Sequence, residues 1–383
     1  MRWSERFGRS RQPRPEGRII WINAVSVGET RLALMIARDL LAHSPQIKIV
    51  LTTTTATATS VVTSAGIDNL HHAYAPLDLA TPVRSFLAHW RPDLAIFVES
   101  ELWPRQIIAA HGAGTRLMLV NARLSDSSQR AWARAPGLAA ALLSRFSKIV
   151  AQSDEMAQAV CTLGADPATV ETIGDLKALA DPLPDDQEHR ESLARELADR
   201  PLWLATSTHP GEEELCASAH NHLPDEALLI IIPRHPERGP SIAAALRKNF
   251  GSVSLQSTGQ TPSGRIHVAD ELGKLGLWYR LASVALIGGS LAERSGHNPY
   301  EAAALGCFAI SGRGIKSFET AYFDLRDHGQ AEILLSHDPA AIAAAISGRM
   351  APARRGSGEG GDEATRRAKR KALANSLLAL VKS

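Results

Sequence analysis

The chain has 383 residues, of which 44% are hydrophobic and 21% are charged, a composition that excludes wholesale disorder and predicts a packed protein. Its 42 basic and 40 acidic residues leave a net charge of +2, so the overall charge does not indicate a nucleic-acid partner. Three well-separated cysteines exclude a disulfide framework, and no apolar run approaches the roughly 20 residues that a membrane-spanning helix needs. The length is sufficient for two domains with cores of their own.

The first 18 residues form a basic segment, with six arginines against two glutamates. One interpretation is a solvated tail. The other is attraction to an anionic membrane surface, because each basic residue near such a surface contributes about 1 kcal/mol.

Short apolar runs that alternate with helical patterns predict a parallel α/β architecture. The runs are continuous, which is typical of strands buried on both faces of a parallel sheet. A first series of predicted strands covers residues 19–24, 47–52, 94–99, 117–121 and 149–152. A second series covers residues 202–205, 228–233, 284–288 and 307–310, and helical patterns include residues 30–41 and 212–220.

The restart of the strand series near residue 202 predicts two domains of the same kind. We assign residues 19–180 to an N-terminal domain and residues 201–350 to a C-terminal one, with the turn-rich residues 181–200 as the link. Residues 351–383 are predicted to form a flexible loop followed by a basic helix over 362–381.

Polar residues follow nearly every predicted strand, at the carboxyl ends where open parallel sheets bind their ligands. Such groups suit sugar, phosphate or carboxylate binding, and their presence in both halves predicts a cleft between two facing domains. They occur in the segments 26–29, 52–55, 99–101, 121–123, 207–209, 234–235, 288–290 and 296–301.

Glu29 follows a glycine at the predicted start of a helix, where the helix dipole favours an ionised carboxylate. Such a group in a cleft can take a proton from a hydroxyl as a general base, but a first-turn glutamate also simply stabilises its helix. Glu99 and Glu101 are two apart in an extended segment and are expected to point the same way, which is costly without a cation nearby.

Arg234 is a candidate phosphate or carboxylate clamp, with an ion pair to Glu237 or Asp270 as the structural alternative. The segment 298–301 has the pattern of a helix start with asparagine as N-cap, and Glu301 could also accept hydrogen bonds from ribose hydroxyls. The histidines have no metal-ligand spacing, and no dinucleotide or P-loop fingerprint is present.

Taken together, several motifs resemble one family, the 3-deoxy-D-manno-octulosonic acid (Kdo) transferases of lipid A biosynthesis. The resemblance runs from about residue 19 to about residue 325. It is carried by residues 21–29, 99–104, 121–125, 174–177, 205–209, 233–238, 288–291 and 296–299.

The resemblance implies a GT-B fold, two Rossmann-like domains that face each other across a cleft. It also implies transfer of Kdo from CMP-Kdo to a tetraacyl lipid A precursor, with inversion and without a metal or cofactor. Glu29 is the base in that scheme, and Glu99 and Lys177 stabilise the transition state. The residues expected to hold CMP are Pro233, Arg234, Leu272, Gly273, Lys274, Asn298, Pro299, Tyr300 and Glu301.

Members of this family usually begin with an apolar anchor helix, and residues 2–8 resemble the segment that follows it. We therefore expect either a late start of this sequence or peripheral attachment, through the basic segment, to the cytoplasmic face of the bacterial inner membrane. Two other functions stay open at this point. One is a GT-B transferase or epimerase acting on another nucleotide sugar, and the other is a degenerate, membrane-associated binding protein.

Overall fold

The computed structural model describes residues 2–99, 102–291, 295–354 and 363–382, and it divides the chain into two compact units. The first unit comprises Met1–Asp181 together with Glu363–Ser383, and the second comprises Pro182–Asp362.

The first unit alternates strands and helices along its length. Its strands are β1 (Ile19–Asn23), β2 (Lys48–Thr53), β3 (Leu70–Tyr74), β4 (Leu94–Val98), β5 (Arg116–Ala122), β6 (Lys148–Ala151) and β7 (Val170–Thr172). Its helices up to β7 are α1 (Trp3–Arg6), α2 (Val27–His43), α3 (Ala56–Ser64), α4 (Ala80–Trp90), α5 (Pro104–Gly112), α6 (Asp126–Ala133), α7 (Pro136–Leu143) and α8 (Asp154–Thr162). One-turn 3-10 helices cover Pro167–Thr169 and Leu176–Leu179.

Among the described residues of this unit, the strands form a seven-stranded parallel sheet in the order β3-β2-β1-β4-β5-β6-β7. The central strands are buried along their whole length because both faces are covered by helices. Side chains of β1 alternate between two cores: Trp21 packs with Phe86 and Phe97 on one face, and Ile20 and Ile22 lie on the other.

The second unit repeats this pattern. Its strands are β8 (Pro201–Thr208), β9 (Leu228–Pro233), β10 (Val253–Leu255), β11 (Ile266–Val268), β12 (Val284–Ile287), β13 (Phe308–Ser311), β14 (Ala331–Ile333) and β15 (Ala351–Pro352). Its helices are α9 (Gln187–Leu197), α10 (Glu212–His220), α11 (Gly239–Phe250), α12 (Leu275–Leu281), α13 (Tyr300–Ala303), α14 (Glu319–Asp327) and α15 (Pro339–Ser347). One-turn 3-10 helices cover Pro236–Arg238, Gln256–Thr258 and Lys316–Phe318.

In the part of this unit that the structure describes, the parallel strands lie in the order β10-β11-β9-β8-β12-β13-β14, and β15 pairs antiparallel with the start of β8. The last helix, α16 (Glu363–Lys382), belongs to the first unit, where Leu373, Leu377 and Leu378 enter the core beside α2. Arg370 of α16 also forms an ion pair with Asp39 of α2, at 2.6 Å.

Two doubly wound parallel units confirm the predicted α/β class with Rossmann-like domains. The predicted strands are found within one or two residues, except that β8 extends to Thr208. Short strands that sequence patterns did not indicate complete the sheets: β3, β7, β10, β11, β14 and β15.

Three segments expected to be a link, a flexible loop or a solvated tail are ordered in the structure. The predicted link contains α9, which packs on α12, and Asp185 there pairs with Arg190 and Arg280. Residues 351–352, expected in a flexible loop, form β15. The basic N-terminal segment is attached to β3, since the Glu5 carboxylate accepts a hydrogen bond from Tyr74 N at 2.9 Å.

Candidate functional site

In the first unit, the strand order reverses between β1 and β4, and the carboxyl ends at such a reversal form the usual ligand crevice of open α/β sheets. Helix α2 begins there with Ser26 as its N-cap. Ser26 Oγ accepts a hydrogen bond from Glu29 N at 3.2 Å, and the Glu29 carboxylate accepts from Ser26 Oγ at 3.0 Å and Val25 N at 2.7 Å. This reciprocal arrangement is a variant of the capping box in which the residue before the N-cap supplies the backbone N–H, so Glu29 does stabilise its helix. The base role of this buried carboxylate stays a prediction.

Glu99 directly follows β4 and lies at the same edge of the sheet. Its carboxylate forms an ion pair with Lys177 Nζ at 2.5 Å, and both side chains are largely buried. The structure therefore brings together two of the predicted site residues, and Lys177 is the cation that the acidic segment requires. Ser100 and Glu101 lie outside the described residues.

A set of hydrogen bonds holds the turn that carries Lys177. The buried Asn121 side chain, at the end of β5, donates to Asp175 Oδ1 at 3.1 Å and accepts from Leu176 N at 2.9 Å. Asp175 Oδ1 also accepts from Lys177 N at 3.0 Å, so it caps the 3-10 helix. Sequence reasoning noted Asn121 and Asp175 only as parts of motifs and missed their bracing role. The signal was the aspartate itself, since an aspartate side chain often accepts a hydrogen bond from the backbone N–H two residues later.

In the second unit, the strand order reverses between β8 and β12. The carboxylate of Glu212, in the first turn of α10, accepts hydrogen bonds from the backbone N–H groups of His209, Gly289 and Leu291 at 2.8–3.0 Å. Glu212 is almost fully buried and ties the loop after β12 to the loop after β8. A Cβ at Gly288 would lie 2.7 Å from this carboxylate, which explains a glycine there. Sequence reasoning missed Glu212, which it placed only at the start of the helical pattern over residues 212–220.

Two histidines meet at this reversal point. His209 Nε2 and His297 Nε2 are 3.0 Å apart, with parallel rings whose centroids are separated by 5.2 Å. Gly289 has a positive φ of 70°, and a Cβ there would lie 3.1 Å from the His297 ring. Burial, followed by the charge of Arg234, lowers the pKa of His297 to about 4. The histidines therefore form a polar cluster with Arg234, which the sequence did not indicate.

Arg234 follows Pro233 at the end of β9, and its backbone N donates to Thr208 O at 3.1 Å. The side chain is exposed. Neither acidic residue considered from the sequence pairs with it, within the segments that the structure describes. Asp270 instead accepts hydrogen bonds from Ser257, and Glu237 lies 3.6 Å from His235. Among the described residues, the Arg234 side chain is therefore exposed and takes part in neither of those ion pairs.

The remaining predicted CMP residues lie on two other segments. Leu272, Gly273 and Lys274 precede α12, and the Leu272 side chain is 85% exposed. Helix α13 begins at Tyr300, one residue later than the sequence pattern indicated, with Pro299 as N-cap. Asn298 Oδ1 still accepts a hydrogen bond from Tyr300 N at 3.1 Å, as a capping side chain does.

Glu301 lies in the first turn of α13 near a buried phenol. Burial, and then the Glu301 charge, raises the pKa of Tyr279 well above its usual value. Tyr279 OH shares a hydrogen bond of 3.0 Å with Thr206 Oγ1 near the end of β8. Glu301 is therefore close to the carboxyl end of the central strand of this sheet.

An apolar surface lies at the N-terminal segment of the first unit. The exposed side chains are Trp3, Phe7 and Leu79, at 62%, 52% and 59% exposure. Phe7 and Leu79, together with Arg9, line a groove of about 450 Å³. We refer to Trp3, Phe7, Arg9 and Leu79 as the N-terminal patch.

Two kinds of feature are absent from residues 2–99, 102–291, 295–354 and 363–382. No helix in these ranges combines the length and the apolar character needed to cross a bilayer. No group of three or more His, Cys, Asp and Glu side chains in the same ranges is arranged to hold a metal ion.

The fold belongs to the GT-B class, in which two Rossmann-like domains make up the protein. A structure that shares it is the putative UDP-N-acetylglucosamine 2-epimerase from Listeria monocytogenes, which has a TM-score of 0.61 and 13% identity. The match covers 96% of each chain and, at this identity, concerns the fold alone.

Sequence similarity to known proteins identifies the family of this chain. Residues 1–180 match the family model described as "3-Deoxy-D-manno-octulosonic-acid transferase (kdotransferase)". The chain is 39% identical to the "Probable 3-deoxy-D-manno-octulosonic acid transferase, mitochondrial" of Arabidopsis thaliana, over 83% of this chain and 74% of that protein. It is 35% identical to the 3-deoxy-D-manno-octulosonic acid transferase of Rickettsia conorii, over 75% of this chain and 62% of that protein. The chain belongs to the family of 3-deoxy-D-manno-octulosonic acid transferases and is an enzyme of that kind, as its motifs indicated.

Proposed function

We propose that the chain transfers Kdo from CMP-Kdo to a lipid A precursor, lipid IVA, with inversion at the anomeric carbon and with Glu29 as the general base. The observation that carries the proposal is the position of Glu29, a buried carboxylate at the strand-order reversal of the first unit. Hydrogen bonds from Val25 N and Ser26 Oγ, together with the helix N-terminus, favour its ionised form. A hydroxyl that loses its proton to this group becomes the nucleophile.

The Glu99–Lys177 pair supports the same reaction from the neighbouring strand end. In the proposed transition state, positive charge develops on the sugar ring while negative charge develops on the departing phosphate. The Glu99 carboxylate and the Lys177 ammonium are 2.5 Å apart and largely shielded from water. The carboxylate can stabilise the positive charge, and the ammonium can stabilise the negative charge. Because the pair is held by the Asn121 and Asp175 hydrogen bonds, it needs little reorganisation when the charges form.

We assign the donor nucleotide to the second unit. Arg234 is exposed at the end of β9, beside the two histidines, and its guanidinium can bind a phosphate through two parallel hydrogen bonds. The segments 272–274 and 298–301 are assigned to the rest of CMP. Calorimetric titration with CMP and with UDP tests this assignment: we expect CMP to bind more tightly, and tighter binding of UDP would contradict it.

The test of Glu29 separates its two roles. Glu29→Gln keeps the capping box, since glutamine serves as well as glutamate at this helix position, but it cannot accept the proton. We expect Kdo transfer to fall by at least about a hundredfold while thermal stability stays unchanged.

Ser26→Ala is the matched control. It removes the cap hydroxyl and leaves the carboxylate, so stability should fall by about 1 kcal/mol while most of the transfer activity remains. Undiminished transfer by the Glu29→Gln variant would refute the base assignment.

The same proposal has the enzyme bound peripherally at the cytoplasmic face of the bacterial inner membrane, where it meets its lipid acceptor. The N-terminal patch supports this, because it combines exposed aromatic side chains with the basic segment. Replacing Trp3 and Phe7 by serine should reduce co-sedimentation with vesicles that contain anionic lipid. Leu335→Ser removes an apolar side chain of the second unit that is even more exposed, at 75%, and should leave co-sedimentation unchanged. Equal losses in both variants would contradict the assignment.

A further inference from the structure

Three backbone N–H groups at the carboxyl ends of β8 and β12 already have a partner. The N–H groups of His209, Gly289 and Leu291 donate to the Glu212 carboxylate at 2.8–3.0 Å. Glu212 is 2% exposed, so an acidic side chain lies between the two central loops of this crevice. An anion that binds at this edge of the sheet is therefore best held by cationic side chains that follow the flanking strands, β9 and β13.

Arg313 follows β13 on a loop that Ser290 holds in place. Ser290 is fully buried in the loop after β12, and its Oγ accepts a hydrogen bond from Gly312 N at 2.9 Å. The carbonyl oxygen of Ser290 accepts a second hydrogen bond, from Gly314 N at 2.9 Å. The residues on either side of Arg313 are therefore bonded to the loop after β12, and Arg313 itself has an exposed side chain.

Two arginines thus flank the central strands at the carboxyl edge of the second sheet. In the order β9-β8-β12-β13, Arg234 follows β9 and Arg313 follows β13, so their strands are three spacings apart, about 14 Å. Arg238, which also comes after β9, forms an ion pair with Glu213 at 2.9 Å. Within the segments that the structure describes, Arg313 forms no ion pair with an acidic side chain.

We propose that Arg313 binds the carboxylate of the sugar acid in the donor, while Arg234 binds the phosphate. This inference rests on the proposed function, because that function assigns the donor nucleotide to the second unit. It gives a role to a residue outside the segments assigned to CMP and names the chemical group that the residue recognises.

The chemistry of the donor explains why two cations are needed. CMP-Kdo carries one negative charge on the phosphate diester and one on the sugar carboxylate, and both groups are attached to the anomeric carbon. A guanidinium can bind either group through two parallel hydrogen bonds. Two arginines that each bind one group would fix the orientation of the anomeric carbon between them. A neutral sugar would leave Arg313 without its ligand, so the arginine selects sugar acids.

The role of Arg313 in the reaction differs from that of a transition-state group. The carboxylate keeps its negative charge while the bond to the phosphate breaks, so Arg313 binds the ground state and the transition state about equally. Loss of such an interaction raises KM and leaves kcat nearly unchanged.

The test compares two ligands that differ by the sugar acid. We would measure KM and kcat for CMP-Kdo with lipid IVA as acceptor, and the Kd of CMP by calorimetric titration. For Arg313→Gln we expect KM for CMP-Kdo to rise by about tenfold to a hundredfold, because a charge-assisted interaction is lost. The Kd of CMP, which has no carboxylate, should stay the same. Arg313→Lys keeps the charge without the planar fork, so its KM should lie between those of Arg313→Gln and the native protein.

Lys248→Gln is the matched control. It also removes one exposed positive charge from the second unit, but Lys248 lies in the last turn of α11, and β10 begins three residues after that helix ends. This places Lys248 at the amino edge of the sheet, opposite Arg313, so both KM for CMP-Kdo and the Kd of CMP should be unchanged. Thermal melts establish that each variant is folded.

An unchanged KM for CMP-Kdo in Arg313→Gln would overturn this inference and leave the proposed function standing. An equal weakening of CMP binding and of CMP-Kdo use would also overturn it, because Arg313 would then act on the nucleotide and not on the sugar acid. If the native protein neither binds CMP nor uses CMP-Kdo, the proposed function itself is wrong and the inference falls with it.

Discussion

Replacement of Asn121 by glycine tests whether hydrogen bonds at the end of β5 hold the turn that carries Lys177. Asn121 has a φ of 58°, in the left-handed region, so alanine would combine lost hydrogen bonds with backbone strain. Glycine removes the same side chain without that strain. Two hydrogen bonds are lost, a buried one at 2.9 Å and a partly buried one at 3.1 Å, and Leu176 N is left without this acceptor.

The expected loss is about 1 kcal/mol for each hydrogen bond and about 1 kcal/mol more for the unsatisfied Leu176 N–H, a total of about 3 kcal/mol. Glycine adopts the left-handed conformation without backbone strain, which offsets about 1 kcal/mol of that loss. The net loss in the free energy of unfolding of Asn121→Gly is therefore about 2 kcal/mol. Asn121→Ala should therefore be less stable than Asn121→Gly by about 1 kcal/mol. Hydrogen exchange of peptides from the first unit measures the stability of that unit in each variant. Exchange of peptides from the second unit should not change.

Transfer activity should fall in both variants, because Lys177 loses its fixed position relative to Glu99, while CMP binding by the second unit stays the same. Equal stability of the alanine and glycine variants would refute the strain argument. A loss below about 0.5 kcal/mol in both would refute the claim that these hydrogen bonds hold the turn.

Two further predictions concern buried ionisable side chains. Lys177→Met should destabilise the first unit by about 3 kcal/mol, because it leaves the Glu99 carboxylate without its ion-pair partner. The double variant with Glu99→Gln should recover most of that stability but none of the transfer activity. A Lys177→Met variant as stable as the native protein in urea unfolding would contradict this prediction. His267 is fully buried, and burial lowers its pKa to about 4 from an unfolded value of 6.5, so its contribution to stability is complete above about pH 6.5 and is lost as the pH falls towards 4. The loss at pH 4 is about 3 kcal/mol, since one pKa unit corresponds to about 1.4 kcal/mol. Between pH 7 and pH 4, the free energy of unfolding in urea should decrease less for His267→Gln than for the native protein. For the exposed His222→Gln, it should decrease as much as for the native protein.

Sequence patterns were sufficient for the strands in the middle of each sheet and insufficient for the edges. The continuous apolar runs of β1, β4 and β9 are buried along their whole length, so their composition directly reflects their environment. By contrast, β3 contains two histidines, and His72 Nε2 shares a hydrogen bond of 2.9 Å with Thr53 Oγ1. A polar edge strand of this kind is stabilised by its neighbour and by the N-terminal segment, neither of which a local pattern reveals.

In the candidate site as well, local sequence predicted some of the residues and missed others. Glu99 and Lys177 could be singled out from motifs, and the structure joins them. Glu212 could not, because its three backbone donors come from two loops separated by about 80 residues of chain, and only the folded sheet brings those loops together. Local sequence indicates which residues are chemically capable, whereas hydrogen bonds between distant loops decide how they are held.

Backbone strain at the strand ends points to the same positions independently of any motif. Glu99, Asn121 and Ser207 have φ values of 63°, 58° and 54°, and each stands at or near the carboxyl end of a strand. Left-handed conformations cost a residue with a side chain about 1 kcal/mol or more, so glycine would be the cheaper choice if only the turn mattered. Two of these three side chains take part in the Lys177 network, Glu99 directly and Asn121 through Leu176 and Asp175. The strain is therefore tolerated where a side chain is required for the site, and the buried cores on both faces of the sheet supply the stability that offsets it.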